Sequence, residues 1–183
     1  MVSSAKIFLK GELNLIELLA PAGNFESLKA AVAAGANAVY LAGENFGARA
    51  YAENFSRENL VKAVKFAHLR NVSVHVTTNT ILADEELEDF SDYIKFLRDS
   101  NVDALLVQDL GAAKIAQEIA PEIPLHASTQ MTIHNLEGVL MLAELGFSRV
   151  VLSRELSLKE ISCIAKNSPV ETEIFIHGAL CVC

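Results

Sequence analysis

The sequence predicts an α/β fold, an incomplete TIM (β/α) barrel, on three observations. Seven strand-like apolar runs alternate with six helix-like periodic runs, joined by connections of a few residues, which is the pattern of successive βαβ units. The strand runs are near-continuous Val, Ile, Leu and Ala, as expected of parallel strands covered on both faces. No G-x-G-x-x-G follows the first strand, which argues against an open dinucleotide-binding sheet. A complete barrel takes about 250 residues and eight strands. A chain of 183 residues is therefore expected to fall short by about one strand and two helices and to leave its first and seventh strands as unpaired edges. Residues 1–14 are read as an N-terminal extension. Residues 15–183 are read as the barrel-like domain, truncated at its C-terminus, so that the chain is a fragment or is closed from elsewhere.

The first strand is expected at 15–19, followed by Ala20-Pro21-Ala22-Gly23 and a helix from about Asn24 with Leu28, Ala31 and Val32 on one face. The second strand, 38–41, closes at Ala42-Gly43. A loop with Phe46-Gly47-Ala48-Arg49 then leads to Ser56, an N-cap for a helix burying Leu60, Val64 and Ala67. The third strand, 72–77, opens into Thr78-Asn79-Thr80. Asp84 is expected to cap a helix in which Leu87, Phe90, Ile94 and Leu97 recur at three- and four-residue spacing. The fourth strand, 104–107, ends at Gln108-Asp109, and its helix is stopped by Pro121. The fifth, 125–127, ends at Ser128-Thr129-Gln130, before a helix carrying Leu136, Val139, Leu140 and Ala143 up to Gly146. The sixth, 150–152, ends at Ser153-Arg154-Glu155. Ser157-Leu158-Lys159-Glu160 is a capping box, with Leu156 and Ile161 placed as its hydrophobic staple. The seventh strand begins near Glu171 and alternates Thr172, Ile174 and Ile176 with Glu173, Phe175 and His177. It breaks at Gly178 ahead of Cys181 and Cys183.

A content of 51% hydrophobic and 21% charged residues is that of a globular domain. No apolar run is long enough to span a membrane, and the first residues lack a signal-peptide build, so a cytoplasmic location is expected. Three cysteines in such a chain argue against a disulfide framework. A formal charge of −8 gives no basic footprint, so these residues alone are not expected to hold RNA by its phosphates.

Active sites of TIM barrels lie at the carboxyl ends of the strands. That rule selects Glu17, Arg49, Asn79, Gln108, Asp109, Ser128, Thr129, Gln130, Arg154, Glu155 and His177, with strand interiors read as apolar. The competing reading is that such residues merely cap helices, most of all Asp109 and Ser128. Arg49 and Arg154 could clamp a carboxylate or phosphate bidentately, against an alternative in which Arg154 pairs with Glu155. His68, His75 and His126 are read as helix-face or core residues and His134 as part of a helix start. His177, ahead of Cys181, has a position that suggests function. Cys163 is read as a small apolar filler. Cys181 and Cys183 admit three readings, in descending order: ligands of an iron–sulfur cluster, part of a zinc site with His177, or a nucleophile with His177 as base.

Several motifs then carry a resemblance: Glu17-Leu18-Leu19-Ala20-Pro21-Ala22-Gly23, Ala38-Val39-Tyr40-Leu41-Ala42-Gly43, Phe46-Gly47-Ala48-Arg49, His126-Ala127-Ser128-Thr129-Gln130, the Ser-Arg-Glu-Leu-Ser core at 153–157, and Ile176-His177-Gly178-Ala179-Leu180-Cys181. In this order they resemble the collagenase-like peptidase family U32. One departure is Ala42, where the family usually has glycine. The resemblance implies a TIM-barrel-like N-terminal domain and one of two activities. The first is oxygen-independent hydroxylation of an RNA base (ribosomal or transfer RNA) or in ubiquinone synthesis, with an iron–sulfur cluster bound by cysteines. The second is proteolysis. By the family motif Cys181 would be a cluster ligand and Cys183 less so, with the remaining ligands beyond the sequence. Arg49, Asn79, Gln130, Arg154 and His177 would shape the substrate mouth. RNA or peptide would be engaged through the absent C-terminal half, and the chain alone would be an inactive scaffold.

Overall fold

The computed structural model describes residues 4–6, 16–48 and 54–177, with 4–6 as backbone only. Eight strands close into a barrel in chain order: β1 (Ser4–Lys6), β2 (Leu18–Pro21), β3 (Ala38–Ala42), β4 (Ser73–Thr78), β5 (Ala104–Val107), β6 (Leu125–Ala127), β7 (Arg149–Val151) and β8 (Glu171–Phe175). The seven strands β2 to β8 run parallel, as the alternating pattern predicts. Six helices follow them: α1 (Phe25–Ala33), α2 (Arg57–His68), α3 (Leu87–Asp99), α4 (Leu110–Ile119), α5 (Leu136–Glu144) and α6 (Leu158–Asn167).

The expected open edges are not there. β1 runs antiparallel to both edge strands, pairing Ser4 with Leu19 on one side and Ser4, Ala5 and Lys6 with Phe175, Ile174 and Glu173 on the other. A three-residue strand within the N-terminal extension therefore satisfies backbone groups that would otherwise be exposed at the seam.

Five of the six helices start on a side-chain cap. Asn24, Ser56, Asp109, Asn135 and Ser157 accept from the amides of Ser27, Asn59, Ala112, Gly138 and Glu160. The capping box is complete, since the Glu160 carboxylate accepts from the Ser157 amide at 2.8 Å. Hydrogen bonds from the Ser157 hydroxyl, then from its backbone amide, hold the Glu160 carboxyl below the usual carboxylate range. The exception is α3. Asp84 is exposed and does not cap it; it opens a single 3₁₀ turn, Asp84–Glu86, in which the Glu86 carboxylate accepts from the Ala83 amide at 2.9 Å.

The outward faces of the strands make the main core with the helices. Val39, Leu41, Val74, Val76, Leu105, Val107, Leu125 and Val150 cluster with Leu28, Leu60, Val64, Phe90, Ile94, Leu97, Val139, Leu142 and Ile164. Two expectations fail here. On α5 Val139 is buried together with Leu142, while Leu140 is exposed. Cys163 is exposed on α6 instead of filling the core.

Candidate active site at the barrel mouth

Alternation along the strands turns every second residue inward. The outward set is the apolar one. The inward set includes Tyr40, His75, Thr77, Leu106, His126, Arg149, Val151, Glu173 and Phe175, so the interior is polar, contrary to the apolar reading from sequence. His75 and His126 are buried as expected of core histidines, with ring centroids 4.9 Å apart and planes at 89°.

Arg149, 4% exposed, sits deep in this interior. Its guanidinium reaches Glu171 at 2.8 Å, Glu17 at 3.2 Å and Glu173 at 3.2 Å. Glu17 is thereby removed from the mouth: it precedes β2 and belongs to the amino-end side of the barrel, because the strand starts at Leu18. Burial of one arginine and Glu173 is tolerable only because each is paired.

Above this cluster, at the carboxyl ends of the strands, lies a cavity of about 470 Å³. Glu173, Tyr40, Thr77, Leu106 and Val151 line it from the barrel side. Phe175 lines it from the end of β8, and Asn79, Gln108, Ser128, Thr129, Gln130 and Arg154 line it from the loops. The size is within the range of small-molecule sites, and the lining mixes apolar walls with a few convergent polar groups.

Asn79 ties three loops together. Its amide donates to Gln130 Oε1 at 2.6 Å and to Ser128 Oγ at 3.3 Å, and its Oδ1 accepts from the Ala48 amide at 3.2 Å. The loop that presents Ala48 is anchored from behind. Phe46, in the left-handed region at φ 62°, packs edge-on against Phe90 at 5.2 Å and at a tilt of 43° against Tyr93 at 5.6 Å. Its carbonyl accepts from Thr80 Oγ1 at 3.2 Å. Tyr93 Oη fills the space beside Gly43 where a Cβ would stand, and burial pushes the Tyr93 hydroxyl pKa up. Glycine is thus required at the end of β3.

Arg154 stacks its guanidinium 3.9 Å from the centroid of Phe175 instead of pairing with Glu155, which is exposed. Its Nε is buried without a hydrogen-bond partner among the described residues. Asp109 and Ser128 act as caps, as expected, through Ala112 and Gln130, although Ser128 also belongs to the Asn79 network. His177 is exposed just past β8 and lines no part of the cavity, and His134 precedes the α5 cap with its Nδ1 at 2.9 Å from the Thr132 carbonyl. His68 lies on α2 with its Nε2 2.8 Å from Asp103. Arg49, Cys181 and Cys183 lie outside the described residues. The structure therefore brings Asn79, Gln130 and Arg154 together. Sequence reasoning missed Tyr40, Thr77, Phe175 and the Arg149–Glu173 pair, whose signal was polar residues at period two within strands.

The sequence profile of peptidase family U32 matches residues 23–183. This chain belongs to peptidase family U32. Among its relatives, tRNA hydroxylation protein P1 of Bacillus subtilis is 41% identical over 91% of this chain and 39% of its own length. A 23S rRNA 5-hydroxycytidine synthase of Escherichia coli is 44% identical over 91% of this chain and 25% of its own. A collagenase of Porphyromonas gingivalis is 34% identical over 93% and 43%. The U32 chain thus spans 25–43% of the length of these relatives. Among solved structures, the U32 peptidase Mk0906 superposes with a TM-score of 0.71 at 15% identity, covering 84% of this chain and 66% of that one, which bears out the fold. A thiamine phosphate pyrophosphorylase from Pyrococcus furiosus follows at 0.60 and 16% identity, over 84% and 71%.

Among the described residues no group of three or more His, Cys, Asp or Glu side chains is placed to hold a metal ion, and Cys163 stands exposed on an outer helix. No helix among the described residues is long and apolar enough to cross a membrane.

Proposed function

We propose that the full-length U32 protein is a cytoplasmic, oxygen-independent, iron–sulfur-dependent enzyme that hydroxylates an RNA base, ribosomal or transfer, and that the barrel-mouth cavity receives the base. The observation that carries this reading is the composition of the cavity. The Gln130 carboxamide, held in place by Asn79, and the guanidinium of Arg154, stacked on Phe175, offer planar and polar surfaces suited to a heterocycle. The named RNA-hydroxylating relatives support the reaction class. Arg49 would join this mouth, and His177 would stand at its edge.

Cys181, a few residues past the end of β8, would be one ligand of the cluster, with the other thiolates supplied by the remainder of the protein; Cys183 would be a bystander. The cluster would supply the redox chemistry, and this chain would bind and orient the base. A net charge of −8 requires the phosphate-binding surface to lie in that remainder.

Anaerobic reconstitution of the full-length protein with iron and sulfide, read by absorption spectroscopy, tests the reading. A charge-transfer band that is lost or weakened in Cys181→Ala is expected. No band in wild type, together with unchanged activity in Cys181→Ala, sinks it. The collagenase relative keeps proteolysis as a second reading, and cleavage of collagen peptides by cluster-free protein would favour it.

A further inference from the structure

The Arg149 cluster is not explained by folding alone. A buried ion pair is often no better than packed apolar side chains of the same volume. Yet Glu173 is 2% exposed and lines the mouth cavity, while its partner Arg149 lies deeper. Three carboxylates, Glu17, Glu171 and Glu173, surround the one guanidinium. Only Glu173 of the three reaches the cavity. The polar groups at the rim differ in kind: Arg154 offers only donors, and the Asn79 and Gln130 amides are engaged with each other. The barrel side of the cavity therefore carries a carboxyl group paired with Arg149, and the rim carries a donor.

We propose that Glu173 is a substrate-contacting residue, whose carboxylate accepts a hydrogen bond from an N–H on the edge of the seated base, and that Arg149 is its positioning residue. The proposal rests on the reading of the cavity as a base pocket. The base enters edge-first, its N–H toward Glu173, with its rim-side carbonyl toward Arg154 and its face toward Phe175. Arg149 holds the buried carboxylate and fixes its direction. Glu171 and Glu17 keep Arg149 in place from the far side, so removing the Glu173 charge leaves Arg149 paired.

The test uses the full-length protein acting on unmodified RNA, with hydroxylated nucleosides measured by mass spectrometry. If wild type makes none, the base-pocket reading fails, and that outcome is separate from the test of Glu173. If wild type is active, Glu173→Gln is expected to fold, to retain its cluster spectrum and to lower kcat/KM by about 10- to 100-fold, the size expected for a buried hydrogen bond to a charged group. A folded Glu173→Gln with unchanged kcat/KM overturns the proposal. Should that variant fail to fold, Arg149→Met combined with Glu173→Gln removes both buried charges. A double variant that folds and stays impaired supports a contact role. One that folds with full activity shows Glu173 to be structural and overturns it.

Discussion

Arg149→Met is the substitution with the largest effect expected on folding. The Arg149 side chain is 5% exposed and faces the side chains of Glu173 at 3% exposure, Glu17 at 24% and Glu171 at 34%. The last two carboxylates can turn to solvent, so their pairing contributes little. Glu173 cannot, and the loss of its guanidinium partner inside the barrel sets the cost, at about 3–5 kcal/mol. For a domain of this size each kcal/mol moves the melting temperature by roughly 2–4 °C, so a drop of roughly 6–20 °C is expected. Differential scanning calorimetry at neutral pH measures it. Adding Glu173→Gln to Arg149→Met should recover at least half of the loss, because the buried charge that lost its guanidinium is gone. A single variant melting within about 2 °C of wild type would refute the claim that this arginine compensates a buried carboxylate.

Gly43→Ala should destabilise the protein by about 1–3 kcal/mol in urea melts, because its Cβ meets Tyr93 Oη, and Tyr93→Phe in the same chain should recover much of it. If Tyr93→Phe gives no recovery, the close approach is not the cause. Ser157→Ala removes the acceptor for the Glu160 amide and should cost about 1 kcal/mol in the same assay. The Glu160 carboxyl is held low by Ser157, so its stabilising effect is complete above the ordinary glutamate value and fades as pH falls through the lower folded value. Melting temperatures of wild type and Glu160→Gln should therefore converge on acidification from pH 7, and a gap that persists at the lowest pH would contradict this.

The parallel strands and helices were legible because buried strands and amphipathic helices leave strong periodic signals, and the caps Ser56, Asp109 and Ser157 sit directly ahead of their helices. The barrel seam was not legible. Ser4–Lys6 is three residues of no distinct pattern, and its pairing is decided by the edges it meets. Asp84 misled because acidic residues crowd that helix start, and the 3₁₀ turn gave the role of acceptor to Glu86. The rim of the site, Asn79, Gln130 and Arg154, followed from the rule that barrel chemistry sits at strand ends. The buried part needed the opposite habit. His75 between Val74 and Val76, His126 between Leu125 and Ala127, and Glu173 between Thr172 and Ile174 mark a polar inward face. Reading those strands as apolar runs concealed it. Glu17 was assigned to the wrong end because the strand was expected to start at residue 15, whereas β2 starts at Leu18.

The central claim is that this mouth binds an RNA base for hydroxylation. The most direct measurement is the modified-nucleoside content of ribosomal and transfer RNA from cells lacking the full-length protein, then supplied with wild type or Arg154→Ala at equal protein levels. The account predicts that one hydroxylated nucleoside disappears on deletion, returns with wild type, and stays at least tenfold lower with Arg154→Ala. A nucleoside profile unchanged by the deletion would contradict it.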